Sequence, residues 1–159
     1  MNEQISTARL FTSILVIFGA SFAVAATLYP PTTPLYVYRE PLQELLQQTP
    51  NIVLTVAVRN TIVALLYNLV ARLKPRLATI LLYSQAALQG FVAGAGSMPY
   101  ALRVCTIAPH FIPELLSLAL AVTSGVKRDK TLLAIAVILA SMGALVEAAI
   151  TPRLCLQII

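Results

Sequence analysis

Apolar residues fill five long stretches of this chain, and polar residues are mostly confined to the joins between them. The stretches are Leu10–Leu28, Ile52–Leu73, Leu77–Ser97, Thr106–Val126 and Thr131–Ile150. A spanning helix needs roughly 20 such residues, or about 30 Å at 1.5 Å per residue. The pattern predicts an all-α membrane bundle of five transmembrane helices, in one domain over residues 1–159.

The first stretch follows Arg9 and contains Ala23-Val24-Ala25, which resembles a signal peptide with a small-residue cleavage site. Its apolar run is longer than the usual signal core, so a retained spanning helix is expected. The one long join, Pro30–Pro50, is rich in proline, which breaks any helix carried out of the first span. Within it Leu42, Leu45 and Leu46 recur at helical spacing, opposite Gln and Glu. They predict a short helix lying in the membrane interface, with Tyr29, Tyr36 and Tyr38 at headgroup level. This join is an ordinary anchored loop or a docking surface for a partner outside the cell.

Composition supports the membrane reading: 58% of residues are hydrophobic and 11% charged, against about 25% charged in a soluble domain. The net charge of +5 matters through its placement. Arg72, Lys74 and Arg76 join spans two and three, Lys127, Arg128 and Lys130 join spans four and five, and Arg9 precedes span one. By the positive-inside rule these loops and the N-terminus face the cytoplasm, and the C-terminus faces outside. Arg39, Arg103 and Arg153 then lie on the outer side. The basic loops are too short for a nucleic-acid surface, and none is expected. Cys105 and Cys155 both fall at the outer face. They either stay as two free thiols at helix ends, the reading favoured here, or pair across adjacent spans in an oxidising compartment.

Several polar residues interrupt the spans. Glu114 and Glu147 are the acids and Arg59 the base within them, joined by Asn60, Gln89 and the sole histidine, His110. Counting from the outer ends, Arg59, Gln89 and Glu114 lie roughly 12 Å down and Glu147 about 7 Å. Four helices thus place polar groups in one layer. A carboxylate at such depth costs at least ~2.5–3.5 kcal/mol on insertion scales, so compensation is required. The expected compensation is an ion cluster in which Arg59 bridges Glu114 and Glu147, or pairs with one while burial keeps the other protonated, with Asn60, Gln89 and His110 as hydrogen-bonding neighbours. Pro109 and Pro113 remove helical donors beside this layer and predict that span four starts or kinks there. Gly90 and Gly94 have the small-xxx-small spacing that lets helices approach closely, within the monomer or across a homodimer. The layer shows no complete metal-ligand set and no nucleophile with a matched base; Ser117, one turn from Glu114, is weak. No cofactor and no enzymatic activity are expected.

These same residues carry a family resemblance. Ala108-Pro109-His110-Phe111-Ile112-Pro113-Glu114-Leu115 resembles the Pro-His-Gly-x-x-Glu signature of the stage II sporulation protein M (SpoIIM) family. Glu147-Ala148-Ala149-Ile150-Thr151-Pro152 is similar to that family's closing Ile-Glu-Ala-Phe-x-Thr-Pro motif, and Gln89-Gly90 through Gly94 to its Asn-Gly-x-x-x-Gly. Arg59-Asn60 stands where the family has an Asn pair. Phe111 replaces a Gly, Gln89 an Asn and Arg59 an Asn, so the extra charge is particular to this chain. The resemblance spans all five helices in order and implies a prokaryotic, non-enzymatic, multi-pass scaffold in the cell membrane, anchoring other envelope or membrane proteins. The alternative is a transport-type protein with the polar layer lining a solute or proton path. A dry, fully paired layer would favour the scaffold, and a cavity reaching Glu114 would favour transport.

Overall fold

A computed structural model describes residues 6–47 and 49–159, and the side chains of Leu35 and of residues 45–47 lie outside that description. The described residues are helical with no strand. Helix α1 covers Thr7–Leu28, α2 Arg39–Gln47, α3 Thr49–Leu73, α4 Pro75–Gly94, α5 Tyr100–Lys127, α6 Lys130–Leu145 and α7 Thr151–Leu156. A 3-10 turn, Leu35–Tyr38, precedes α2, and a π-helical turn, Val146–Ile150, joins α6 to α7. Five stretches are long and apolar enough to cross a membrane: α1, α3, α4, α5 and the continuous Lys130–Leu156. The all-α five-span bundle is therefore what this chain forms, as a multi-pass membrane protein.

Boundaries moved where proline was read as a stop. Helix α5 begins at Tyr100, not Thr106, because Pro99 supplies its N-cap in extended conformation and a preceding proline there costs no hydrogen bond. It then runs unbroken through Pro109 and Pro113, so the expected start at those prolines is wrong. Its 28 residues measure about 42 Å, longer than a hydrocarbon core. The last span continues six residues past Ile150, through Pro152. There the backbone loosens into the π turn, where Thr151 N–H bonds to Val146 O. Pro152 cannot donate to the Ala148 carbonyl, and the Thr49 hydroxyl donates to it instead at 3.2 Å. The third span ends early, at Gly94, in the loop Ala95-Gly96-Ser97.

Helix α5 is the hub, packed against α1, α3, α4, α6 and α7. Helices α5 and α6 form a hairpin, α3 lies against both, and α1 lies along α4. The interior is built largely from alanine: Ala64, Ala71, Ala78, Ala86, Ala136 and Ala140 are all buried. Small side chains bring backbones together, which is how helices gain packing energy in lipid. Gly90 and Gly94 serve this within the monomer. A Cβ at Gly90 would stand 2.3 Å from the Phe18 carbonyl oxygen, and one at Gly94 would stand 2.4 Å from that of Phe22. The outward face is apolar, as on α3 at Leu54 (68% exposed) and Leu73 (73% exposed), and a lipid environment covers such a surface.

Two ends of the bundle differ. One carries the short basic joins around Lys74 and Arg128, and Asp129 caps α6 there by accepting from Thr131 N–H at 2.8 Å and Leu132 N–H at 3.2 Å. At the other end Cys105 and Cys155 form a disulfide with Cα atoms 5.6 Å apart. The expectation of two free thiols is thereby corrected. The extra turn of α5 before Thr106 and the continuation of the last span past Ile150 bring the two Cα atoms within bridging range. Leu42 of α2 packs with Leu102 and Cys155 into a small second core over this bridge. So the short helix in the long join is real and lies on the bundle; Leu45, Leu46 and Gln47 fall outside the described side chains, as Gln48 does entirely.

Candidate functional site

The polar residues of the spans converge. Arg59 and Asn60 from α3, Gln85 and Gln89 from α4, and Glu114 and Ser117 from α5 line a partly enclosed cavity of about 150 Å³. A neighbouring groove of about 400 Å³ is bordered by Arg59, Gln89, His110, Glu114 and the π-turn residue Glu147. All six residues of the expected layer therefore meet around these two adjoining spaces. Each has a local cause. His110 and Glu114 share a face of α5 at i, i+4. Gly143 of α6 gives Glu114 its room, since a Cβ there would lie 2.8 Å from Glu114 Cγ. Phe111 is buried against Phe18, the rings tilted by 35° with centroids 3.6 Å apart, so the bulk that replaces a glycine of the resembled motif packs on α1.

The pairing within the layer differs from expectation. Glu114 Oε1 accepts a short hydrogen bond from Asn60 Nδ2. Asn60 Oδ1 in turn accepts from Arg59 Nε at 3.4 Å. Arg59 makes no ion pair with Glu114 or Glu147 among the described residues, so the direct bridge of both carboxylates is corrected to an amide-mediated link with one. The reason is rotational: successive helix residues point about 100° apart. Asn60 turns inward, and Arg59 stands exposed at the edge of both spaces. Glu147 takes no hydrogen bond among the described residues. Two atoms are buried without a partner, Gln89 Oε1 and His110 Nδ1. The layer is thus neither dry by shape nor fully paired. Among the described residues no group of three His, Cys, Asp or Glu side chains converges as a metal site would.

Other polar residues in the bundle are satisfied. Asn68 Nδ2 donates to Ala121 O at 3.2 Å and Ser124 Oγ at 2.9 Å, and Gly125 lets α3 and α5 come together beside it. Ser117 donates to Ala136 O at 2.7 Å, and Tyr67 to Gln85 Oε1 at 2.6 Å. The contrast isolates Gln89, His110 and Glu147 as the groups left open.

Arg103 was read only as an outer-side charge. It is 1% exposed. Its guanidinium donates to the carbonyls of Gly94, Gly96, Met98 and Tyr29 and lies 5.0 Å from the Tyr100 ring centroid. Those carbonyls include the C-terminus of α4 and the residue closing α1, where helix dipoles favour a cation. The signal in the sequence was the Gly94–Pro99 loop, whose carbonyls needed donors that the loop itself could not supply. The same loop pins the long join, since Ser97 O accepts from Thr32 N–H and Thr33 N–H.

Fold and site together define a multi-pass all-α membrane protein with a polar cavity inside its helix bundle. In comparison with protein families, curated proteins and solved structures, nothing matches this chain.

Proposed function

We propose that this is a transport-type membrane protein whose intramembrane cavity admits a polar solute or a proton. One observation carries the reading: the space around Glu114 is open, and two buried polar atoms beside it, Gln89 Oε1 and His110 Nδ1, have no hydrogen-bond partner among the described residues. A layer that served only to hold helices together would leave neither idle, because each unmet buried group costs about 1–3 kcal/mol. Water or a cargo has to complete them. The disulfide end faces an oxidising exterior and the basic joins face the cytoplasm, two independent signs that agree.

The scaffold reading implied by the resemblance keeps one observation in its favour. The Leu35–Gln47 segment lies across the disulfide end of the bundle, held there by Leu42, and Tyr36 on it is 74% exposed. A partner outside the cell would find a preformed ledge there.

The test is water access. Both native cysteines are bonded to each other, so an introduced thiol is the only reactive one among them. Glu114→Cys, and Gln85→Cys as a second cavity position, are expected to react with a membrane-impermeant thiosulfonate in sealed vesicles. A cavity closed to water would leave both unmodified until the protein is unfolded, and that result would reject transport.

A further inference from the structure

A second cleft opens between α1 and α4 toward the basic end of the bundle, and it shares no lining residue with the two spaces around Glu114. It measures about 730 Å³ and is lined by Arg9, Thr12, Ser13, Val16 and Ile17 of α1 and by Tyr83 of α4. Arg9, Thr12, Ser13 and Val16 are spaced i, i+3, i+4, i+7, so they form one stripe along α1. The stripe is polar toward the start of α1 and apolar beyond. Arg76, seven residues before Tyr83, lies on the same face of α4, two turns nearer the basic end.

Charge selects what this cleft can hold. Among the described residues Arg9 and Arg76 have no ion pair or hydrogen bond, and neither do the side chains of Thr12, Ser13 and Tyr83. No carboxylate lines the cleft. The three hydroxyls can donate or accept, so they fit many ligands, but the guanidinium only donates and carries its charge at every physiological pH. A phosphate answers it with two parallel N–H bonds and leaves oxygens for the hydroxyls.

The apolar half of the cleft decides where that phosphate comes from. Val16 is 65% exposed, and it lies about 10 Å along α1 from Arg9. One leaflet's hydrocarbon is about 15 Å deep, half of the core, so the cleft follows most of it. A soluble anion would leave Val16 and Ile17 uncovered, whereas an acyl chain below the phosphate covers them.

We propose that this cleft holds an anionic phospholipid of the leaflet at the basic end, with its phosphate on Arg9 and an acyl chain along Val16 and Ile17. In the orientation given above that is the cytoplasmic leaflet, where anionic lipids collect and basic pockets between helices bind their headgroups. The proposal is independent of the transport reading and holds equally for a carrier or a scaffold.

The experiment uses tryptophan fluorescence, because the chain has no tryptophan of its own. The full chain is reconstituted in vesicles of phosphatidylcholine and phosphatidylglycerol, with brominated acyl chains on one lipid or the other as quencher. Val16→Trp puts the reporter in the apolar half of the cleft. Leu69→Trp is the control: it is on α3, its native side chain is 52% exposed, and it stands one turn from Arg72, so it senses the general charge of the same end. Phosphatidylglycerol is expected to be favoured at Val16→Trp about tenfold more than at Leu69→Trp, the size of one charged hydrogen bond. Adding Arg9→Gln should bring Val16→Trp down to the control. Arg9 is exposed, so that substitution leaves the helix packing intact. Tyr83→Phe, which loses only a hydroxyl, should lower the preference about two- to fivefold. Equal preference at the two reporters, or a preference that survives Arg9→Gln, would overturn the proposal. Displacement of the lipid by inorganic phosphate at unchanged ionic strength would overturn it too, since the cleft would then take a soluble anion.

Discussion

Arg59 and Arg103 show how much the surroundings of one residue type decide. Arg103 is sealed in the bundle and meets four carbonyls, two at helix ends and two in the loop between α4 and α5, where a planar fork of donors is what the geometry needs. Arg103→Ala strands those acceptors, so it is expected to lower stability by about 3 kcal/mol or more, read as thermal unfolding in detergent. Arg103→Lys should recover only part, since one ammonium cannot span the four. Unfolding of Arg103→Ala at the unsubstituted temperature would show that the loop carbonyls find other donors. Neither arginine's role was legible from position alone. Depth along the helix put Arg59 and Glu114 at one level, since rise per residue is nearly constant, and both line the same cavity. It said nothing about direction around the helix, and direction gave Glu114 to Asn60. For Arg103, the clue lay in the loop before it, in backbone groups that residue-type patterns do not display.

At the scale of elements, hydropathy located all five spans, because lipid imposes length and apolarity on every crossing helix. It misjudged their ends wherever proline stood. Pro99 opens α5, Pro109 and Pro113 lie within it, and Pro152 follows a π turn whose freed carbonyl takes the Thr49 hydroxyl. Membrane helices tolerate proline when neighbours supply the missing donor, and those neighbours are distant in sequence. The glycines were more informative. Gly90 lies against the Phe18 backbone of α1, so Gly90→Ala should force α1 off α4 and cost about 1–3 kcal/mol. Gly19, on the facing helix, has nothing within 4 Å of a Cβ, and Gly19→Ala should be neutral or slightly stabilising by helix propensity. Equal melting of the two variants would show that the α1–α4 contact is looser than its geometry.

For the whole molecule, the proposed orientation puts the basic joins in the cytoplasm and the disulfide outside. Cysteines introduced beside Lys74 and Arg128 are expected to label only from the cytoplasmic side. Labelling from outside would invert the bundle and move the polar layer to the inner leaflet. The disulfide has one more consequence, for how the chain enters the membrane. Its 50-residue separation contains nearly all of α5, the Lys127–Lys130 join and all of α6. Backbone and bridge together close a covalent ring that passes down one span and back up the next. That ring forms only once the last span has delivered Cys155 to the far side, so oxidation is the last covalent act of insertion. From then on neither helix can withdraw without the other, and a chain cut in the join would still hold both halves as one molecule.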